Sequence, residues 1–145
     1  MKILVINGPN MQLLGKREPH IYGTQTLSDL QNELSKFAGN LKIQLLFFQS
    51  NHEGEIIDKI SESAETIDGI IINPAAYTHT SVAIHDAIKG VGIPTVEVHL
   101  SNINAREGFR HKSCTAPACA GQICGFGFDS YKLAIQALMS LKDKS

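Results

Sequence analysis

The sequence predicts an α/β protein in which a five-stranded parallel sheet is covered by helices on both faces. Three observations favour this class. Short apolar runs alternate with longer segments whose apolar residues recur at helical spacing. The short runs are apolar without interruption, as in strands that are buried on both faces. Polar residues follow at the points where several of these runs end. We therefore expect a doubly wound, flavodoxin-like sheet in a single catalytic domain that covers residues 1–145.

The composition is that of a globular protein and argues against several other classes. Of the 145 residues, 43% are hydrophobic and 19% are charged, with a net charge of -1 and no basic cluster. A nucleic-acid-binding surface is therefore not expected. No apolar run has the length of a membrane span or of a signal peptide. Three cysteines, an odd number, favour a reducing compartment, so we expect a cytoplasmic protein.

The first strand covers residues 3–6 and ends at the turn that begins with Asn7. A polar loop at about residues 15–23 follows, bounded by Gly15 and Gly23 and carrying Arg17 and Tyr22. Open α/β sheets bind ligands at the carboxyl ends of their strands. We therefore expect this loop to face a site and to act as a lid, with the two glycines as hinges.

Capping and periodicity predict the first half of the remaining elements. Thr26 and Asp29 form a capping-box pattern at the start of a helix that Gly39 is expected to end. Residues 43–48 are predicted to form the second strand. Asn51 is expected to cap the next helix. That helix is predicted to bury four residues: Ile56, Ile57, Ile60 and Ala64.

The second half continues the alternation of strands and helices. Residues 70–72 and 95–99 are predicted to be strands, separated by a helix that begins at Thr80 or Ser81 and buries Ile84, Ala87 and Ile88. Residues 122–125 are predicted to form the fifth strand, and residues 129–142 the last helix. Right-handed crossovers would bring the carboxyl ends of all strands to one edge. That edge is expected to gather the polar groups at residues 7–10, 49–52, 73–79 and 99–102.

Arg17 and Tyr22 could form a base, although a solvated loop is the simpler interpretation of such residues. Phenols have a pKa of about 10, so they are poor bases at neutral pH. A guanidinium about 4 Å away would stabilise a phenolate by about 4 kcal/mol at an effective dielectric constant of about 20. One nearby arginine is therefore enough to make a phenolate base possible, and Arg110 offers a second.

Glu97 and His99 fall on the same side of the fourth strand because side chains alternate along a strand. A carboxylate beside an imidazole fixes the tautomer of the ring and favours its protonated form, as a general acid requires. The alternative is a structural histidine of the core. The position of the pair at a strand end, just before Leu100 and Ser101, favours the acid. Backbone amides in that turn, with Ser101, could hold a carboxylate.

Other polar residues at this edge have functional and structural interpretations. Asn10 and Asn73 could orient a water or a substrate hydroxyl, or simply cap turns. His79 and Asp86 are seven residues apart and could share a helix face, and Arg110 could clamp an anion. Dinucleotide, Walker, zinc-site and H-E-x-x-H patterns are all missing from the sequence.

Five blocks of the sequence together resemble the type II 3-dehydroquinate dehydratase family. They are NGPN at 7–10, LGKREP with YG at 14–23, NPAAYTHTS at 73–81, EVHLSN at 97–102 and REGFR at 106–110. The resemblance covers nearly the whole chain. The chain departs from the family pattern at Met11 and Gln12, where Leu and Asn are usual, and at Gly108, where a bulkier residue is common. These departures are outside the catalytic positions.

The resemblance implies a hydro-lyase of the shikimate pathway, which leads to aromatic amino acids, acting without a metal or an organic cofactor. Such an enzyme converts 3-dehydroquinate to 3-dehydroshikimate by anti elimination of water through an enolate. Tyr22 would be the proton acceptor, and Arg17 would stabilise the transition state. His99, supported by Glu97, would be the proton donor. Asn10 would hold a water against the enolate oxygen.

The resemblance also implies a set of substrate-binding residues and an assembly. Asn73, His79 and Arg110 would bind substrate hydroxyls, and the backbone amides of Leu100 and Ser101 would bind the carboxylate. In this family the residue matching Asp86 reaches the site of a neighbouring subunit. The expected assembly is a homododecamer built as a tetramer of trimers.

Three alternatives stand beside this hypothesis. A flavodoxin-like module could bind a nucleotide or a flavin, which a yellow purified protein would indicate. A catalytically inactive homologue could serve as a scaffold. A metal hydrolase could use His79 and His99, and full activity in EDTA would argue against it.

Overall fold

The computed structural model describes the backbone of residues 1–145 and every side chain except that of Tyr22. Five strands form one sheet in the order β2-β1-β3-β4-β5, and each neighbouring pair is parallel. The strands are β1 (Lys2–Asn7), β2 (Gln44–Gln49), β3 (Gly69–Asn73), β4 (Thr95–His99) and β5 (Gly121–Cys124). The predicted α/β class and the five-stranded parallel sheet are confirmed.

Helices cover both faces of this sheet, which confirms the doubly wound, flavodoxin-like arrangement. The helices are α1 (Pro19–Tyr22), α2 (Leu27–Asn40), α3 (Glu53–Glu62), α4 (Val82–Val91) and α5 (Asp129–Asp143). Helices α2 and α5 pack on one face of the sheet, and α3 and α4 pack on the other. Among the described helices, none has the length and the apolar character that a membrane crossing needs.

Alternation along β1 explains why the sheet has two cores. Ile3 and Val5 pack toward α2 and α5, whereas Leu4 and Ile6 pack toward α3 and α4. All four side chains are almost completely buried. Full burial of one such side chain contributes about 1.5–3 kcal/mol, so this single strand contributes several kcal/mol to each core.

The predicted helix caps are partly confirmed. The Thr26 hydroxyl accepts a hydrogen bond from the Asp29 N–H, and the Asp29 carboxylate accepts one from the Thr26 N–H, so the capping box is present. Ser81, not Thr80, caps α4 through the Ile84 N–H. The prediction that Gly39 ends α2 is wrong, because the helix continues through Asn40. The chain turns instead at Lys42, which has a positive φ of 59°.

Several other boundary predictions need correction. Asn51 does not cap α3, whose first residue is Glu53 and whose cap position is His52. Ala64 lies beyond the end of α3 and is exposed, and the buried residue there is Ser63. The predicted bounds of four strands are also one residue off: β1 and β3 are one residue longer at each end than predicted, β2 covers Gln44–Gln49, and β5 covers Gly121–Cys124. Gly125 has a φ of 98° and belongs to the turn that follows.

The register of the strands brings polar side chains together at the carboxyl edge of the sheet. Asn7 pairs with Gln49 on one side and with Asn73 on the other, and His99 pairs with Cys124. The turn after β1 also contacts the turn after β3 closely. A Cβ atom at Gly8 would lie 2.6 Å from the Pro74 carbonyl oxygen, so only glycine fits there without displacement. This close contact fixes the spacing of two of the turns that border the site.

Candidate active site

A cleft lies at the carboxyl edge of the sheet, as expected for an open α/β protein. The space among its lining residues, including the part open to solvent, is about 750 Å³. Eight of the predicted site residues line it: Asn10, Arg17, Asn73, His79, His99, Leu100, Ser101 and Arg110. The segments after β1, β3 and β4 thus contribute to one concave surface. The lining contains three arginines and two histidines, so it favours an anionic ligand.

Three predicted residues are not among the described side chains that line this cleft. Glu97 is completely buried behind His99. Asp86 is exposed on α4. The prediction that His79 and Asp86 share a helix face is wrong, because His79 belongs to a 3-10 turn before α4 begins. The side chain of Tyr22 lies outside the described residues.

His99 and Glu97 form a buried pair at the end of β4. The His99 Nε2 atom lies 3.0 Å from a carboxylate oxygen of Glu97, and His99 is only 5% exposed. A carboxylate only accepts hydrogen bonds, so Nε2 carries a proton and donates it. The other ring nitrogen, Nδ1, is then left for chemistry in the cleft. The expected pairing of these two residues is present in the geometry.

Several donors from other segments surround the Glu97 carboxylate. One oxygen accepts hydrogen bonds from the Thr78 and Ser113 hydroxyls, each at 3.1 Å, and from the Gln122 amide at 2.5 Å. The other oxygen accepts from the Thr115 hydroxyl. We call Thr78, Ser113, Thr115 and Gln122 the carboxylate cage. It surrounds an acid that is completely buried.

His99 and the cage together determine the charge of Glu97. Burial alone would raise the pKa of the carboxyl. The hydrogen bond and the charge of His99, together with hydrogen bonds from Thr115 and Gln122, outweigh that effect and hold the pKa of Glu97 below its ordinary value of 4.5. Glu97 is therefore an anion at neutral pH, and this charge lies next to the His99 ring.

The arginine side chains of the cleft come from two segments, Arg17 from residues 15–23 and Arg106 and Arg110 from the segment after β4. Arg17 and Arg106 each place a guanidinium nitrogen near the same Glu18 oxygen, at 3.9 Å and 3.8 Å. Arg110 donates from Nε to Glu107 at 2.5 Å. The positive charge of the cleft is thus partly balanced by carboxylates at its rim.

Asn10 has a left-handed backbone conformation with a φ of 69°, which asparagine tolerates better than most residues. Its N–H donates to the side-chain oxygen of Asn51 at 2.9 Å. The same oxygen accepts from the Gln49 amide at 3.2 Å. Asn51 therefore holds the Asn10 turn at the cleft. This contact, and not the predicted helix cap, accounts for the polar side chain at Asn51.

The Asn73 side chain lines the cleft, and both its oxygen and its nitrogen have partners. Its side-chain oxygen accepts from the Ala75 N–H at 3.1 Å, and its nitrogen donates to the Tyr131 hydroxyl at 3.0 Å. The same nitrogen lies 3.8 Å from the Met11 sulfur. Ala75 has a positive φ of 52°, and the contact from Asn73 holds this strained turn.

The tautomer of His79 follows from its partner. Its Nδ1 atom lies 2.8 Å from the Lys112 carbonyl oxygen, which is an acceptor, so Nδ1 carries the proton. The same segment is tied to the turn by the Cys114 N–H, which donates to the Thr78 carbonyl. Residues 112–115 thus support both His79 and the carboxylate cage.

Several residues of the site were not singled out from the sequence. Arg106 lines the cleft, although only its place in the REGFR block marked it. The cage residues Ser113 and Thr115 lie in a segment without helical or strand periodicity, and no local signal connects them with Glu97. Tyr131 is an ordinary buried position of α5 by its spacing. All of these are identified only by contacts between distant segments.

Metal and thiol chemistry find no support in the described residues. Among them, no three His, Cys, Asp or Glu side chains form a group that could hold a metal ion. Burial, followed by the negative charge of Glu97, raises the pKa of Cys119 to about 12 and that of Cys124 to about 11. These two thiols therefore stay protonated, and a protonated thiol is a poor nucleophile.

Comparisons with known proteins agree on one family. A family model described as dehydroquinase class II matches residues 1–139. A 3-dehydroquinate dehydratase of Caldicellulosiruptor bescii is 61% identical over 98% of this chain and 99% of its own length. One of Bacillus licheniformis is 54% identical over 98% of both chains. The crystal structure of a type II dehydroquinase from Butyrivibrio crossotus matches with a TM-score of 0.94 and 52% identity, covering 95% of this chain and 97% of its own.

The fold and the cleft define a flavodoxin-like α/β protein with a buried carboxylate–imidazole pair in an arginine-lined pocket. The match over residues 1–139 then settles its membership: the chain belongs to the class II dehydroquinase family.

Proposed function

We propose that this chain is a hydro-lyase that eliminates water from 3-dehydroquinate to give 3-dehydroshikimate, a step of the shikimate pathway. The observation that carries this function is the Glu97–His99 pair at 3.0 Å, placed in a cleft that eight residues of the family pattern line. The reaction removes the proton next to a ketone, forms an enolate, and then expels hydroxide as water. It needs a base, an acid and groups that stabilise negative charge.

The base side of the reaction is assigned to Tyr22, with Arg17 as its electrostatic partner. Arg17 lines the cleft, as a group that stabilises a phenolate and an enolate should. Arg106 lines the same cleft and shares the Glu18 carboxylate with Arg17. Asn10, held by Asn51, would keep a water against the enolate oxygen. The enolate thus forms beside positive charge.

The acid side of the reaction is assigned to His99. Its Nε2 proton is donated to Glu97, so Nδ1 would protonate the departing hydroxyl. The contact with His99 and the carboxylate cage hold the pKa of Glu97 below its ordinary value, so an ionised carboxylate lies next to the His99 ring. Because Glu97 is completely buried, water does not screen this interaction strongly. The cage therefore supports the proton donor indirectly.

Substrate hydroxyls are assigned to Asn73, His79 and Arg110, and the carboxylate to the backbone amides of Leu100 and Ser101. All five residues line the cleft, and the ligand is an anion with several hydroxyls.

We propose a single catalytic domain with residues 15–23 as its lid. Gly15 and Gly23 have positive φ angles of 90° and 82°, and Arg17 between them faces the cleft. Reduced tryptic cleavage at Lys16 and Arg17 when a substrate analogue is bound would support closure, and unchanged cleavage would contradict it.

The assembly proposed for this chain is a homododecamer built as a tetramer of trimers. Asp86 is exposed on α4, outside its own cleft, as a residue that reaches a neighbouring site would be. Light scattering should give a mass twelve times that of one chain, and a monomeric mass would contradict the proposal. We also propose a cytoplasmic location, which fractionation of the source cells would test.

The direct test is to add 3-dehydroquinate to EDTA-treated protein and to follow the ultraviolet absorbance of the conjugated enone product. The wild type should produce a steady rise, and His99→Ala should lose at least about 100-fold in kcat because general acid catalysis contributes about that much. Thermal unfolding of both proteins would confirm that the variant is folded. No rise with the wild type would refute the proposed function. A rise in untreated protein that EDTA abolishes would show that the dehydration depends on a metal ion.

A further inference from the structure

Tyr131 lies directly beneath the cleft, although it is a core residue of the last helix. Its side chain is completely buried. The hydroxyl nevertheless contacts two polar side chains from the ends of β1 and β3. It donates to the Asn7 side-chain oxygen at 2.5 Å and accepts from the Asn73 side-chain nitrogen at 3.0 Å. A buried phenol usually needs such partners, but here one of them is a residue of the cleft.

The directions of these hydrogen bonds follow from one backbone amide. The Ala75 N–H only donates, so the atom of Asn73 that faces it at 3.1 Å must be the oxygen. The nitrogen of Asn73 therefore faces Tyr131 and donates to the phenol oxygen. The phenol must then send its own proton to Asn7. The chain of donors runs in one direction, from Ala75 to Asn7.

The phenol remains neutral in this arrangement. Burial raises the pKa of Tyr131 far above its ordinary value, and the hydrogen bond from Asn73 only partly offsets that effect. A neutral phenol both donates and accepts, as the chain of donors requires. The Asn7 amide nitrogen, at the end of the chain, has no hydrogen-bond partner among the described residues. Among the described residues, Tyr131 is therefore the only hydrogen-bond partner of the Asn7 side chain.

The nitrogen of Asn73 carries two protons, and Tyr131 engages only one of them. The second lies toward Met11, whose sulfur is 3.8 Å away and is a weak acceptor. Both Met11 and Asn73 line the cleft. An oxygen of a bound ligand can replace the sulfur at little cost, because little hydrogen-bond energy is lost.

We propose that Tyr131 is a positioning residue that fixes Asn73 as a hydrogen-bond donor to substrate. The Ala75 N–H determines which end of the Asn73 amide is the donor, and the contact with Tyr131 holds that donor in place at the cleft. A ligand group beside Asn73 must then be an acceptor, such as a hydroxyl oxygen. The inference rests on the proposed function for the identity of the substrate, but the contact between Tyr131 and Asn73 does not.

The kinetic test uses Tyr131→Phe, which keeps the ring in the core and removes only the hydroxyl. The hydrogen bond that Asn73 donates to the substrate is expected in both the ground state and the transition state. Weakening this bond should therefore raise KM and leave kcat nearly unchanged. We expect KM for 3-dehydroquinate to rise about 10-fold, with kcat within about threefold of the wild type. Ile135→Val is the matched control, since Ile135 is also completely buried on α5. Its KM should not change.

A double-mutant cycle separates positioning from general damage. Asn73→Ala alone should raise KM, and adding Tyr131→Phe to it should cause no further rise, because Tyr131 acts through Asn73. An unchanged KM in folded Tyr131→Phe would overturn the proposal. The proposal would also be overturned if Tyr131→Phe raised KM by the same factor in the wild type and in Asn73→Ala.

A measurement without substrate distinguishes failure of this inference from failure of the proposed function. In ¹⁵N–¹H spectra of the ligand-free wild type, the two side-chain amide protons of Asn73 should differ, with one protected from exchange with solvent. Asn73→Ala assigns the signals, and Tyr131→Phe should remove the protection. If the wild-type protons exchange equally fast, the contact is absent and the proposal fails, even in an active enzyme. If the protection is present and the protein does not turn over 3-dehydroquinate, only the proposed function fails.

Discussion

Replacing Glu97 by glutamine removes one negative charge and almost no volume from the centre of the carboxylate cage. His99 lies 3.0 Å from this charge, and at an effective dielectric constant of about 20 the attraction of an imidazolium is about 5.5 kcal/mol. Part of this is recovered in the variant, because the glutamine oxygen can still accept a hydrogen bond from the ring. A hydrogen bond to a charged group contributes about 1.5–3 kcal/mol net. We use this range, and not the full value of about 5.5 kcal/mol, for the stabilisation of the His99 imidazolium that the variant loses.

We therefore expect Glu97→Gln to lower kcat about 10- to 150-fold, since about 1.36 kcal/mol corresponds to a factor of ten. The assay is the ultraviolet absorbance of the enone at saturating substrate. Glu62→Gln, an exposed carboxylate at the end of α3, is the matched control and should have normal activity. If Glu97→Gln is folded and keeps kcat within about twofold of the wild type, the charge of Glu97 does not support the proton donor.

Two further predictions concern stability. Gly8→Ala should destabilise the protein, because the new Cβ would lie 2.6 Å from the Pro74 carbonyl oxygen, whereas Gly39→Ala in open space within α2 should stabilise it by about 0.5–1 kcal/mol. Urea unfolding compares them, and equal stability of the two variants would contradict the close contact. The pKa of Glu97 is lower in the folded state than its ordinary value of 4.5, so the stability this carboxylate contributes is fully present above about pH 4.5 and is lost as the pH falls through the folded pKa. The difference in Tm between the wild type and Glu97→Gln should therefore shrink below about pH 4.5, and a constant difference would contradict this assignment.

The sheet could be predicted from the sequence because its signal is local and repeated. Uninterrupted apolar runs such as that of β3 predict strands that are buried on both faces, and all five residues of this strand are indeed buried. The capping box at Thr26 and Asp29 is likewise a contact between near neighbours. Errors occurred where one local signal has two meanings. Asn51 resembles a helix cap, but its side chain holds Asn10 from 41 residues away.

The candidate site could be predicted only in part, because the sequence pattern reveals contacts between near neighbours and not between distant segments. His99 and Glu97 are two residues apart on one strand, so alternation was enough to pair them. The cage around Glu97 comes from the turn after β3, from residues 113–115 and from β5, and no spacing along the chain connects these segments. Tyr131 is 124 residues from Asn7, and its periodicity is that of any core position.

The measurement that tests the proposed reaction most directly compares tyrosine-to-phenylalanine variants in EDTA with 3-dehydroquinate as substrate. Tyr22→Phe removes the proposed base and should lower kcat at least about 100-fold. Tyr77→Phe makes the same chemical change at a half-buried residue that is not among the described lining residues of the cleft, and it should remain active. Loss of turnover in Tyr22→Phe alone, with both variants folded, is the predicted result. Normal turnover in Tyr22→Phe would contradict a phenolate base, and equal losses in both variants would show that the effect is not specific to Tyr22.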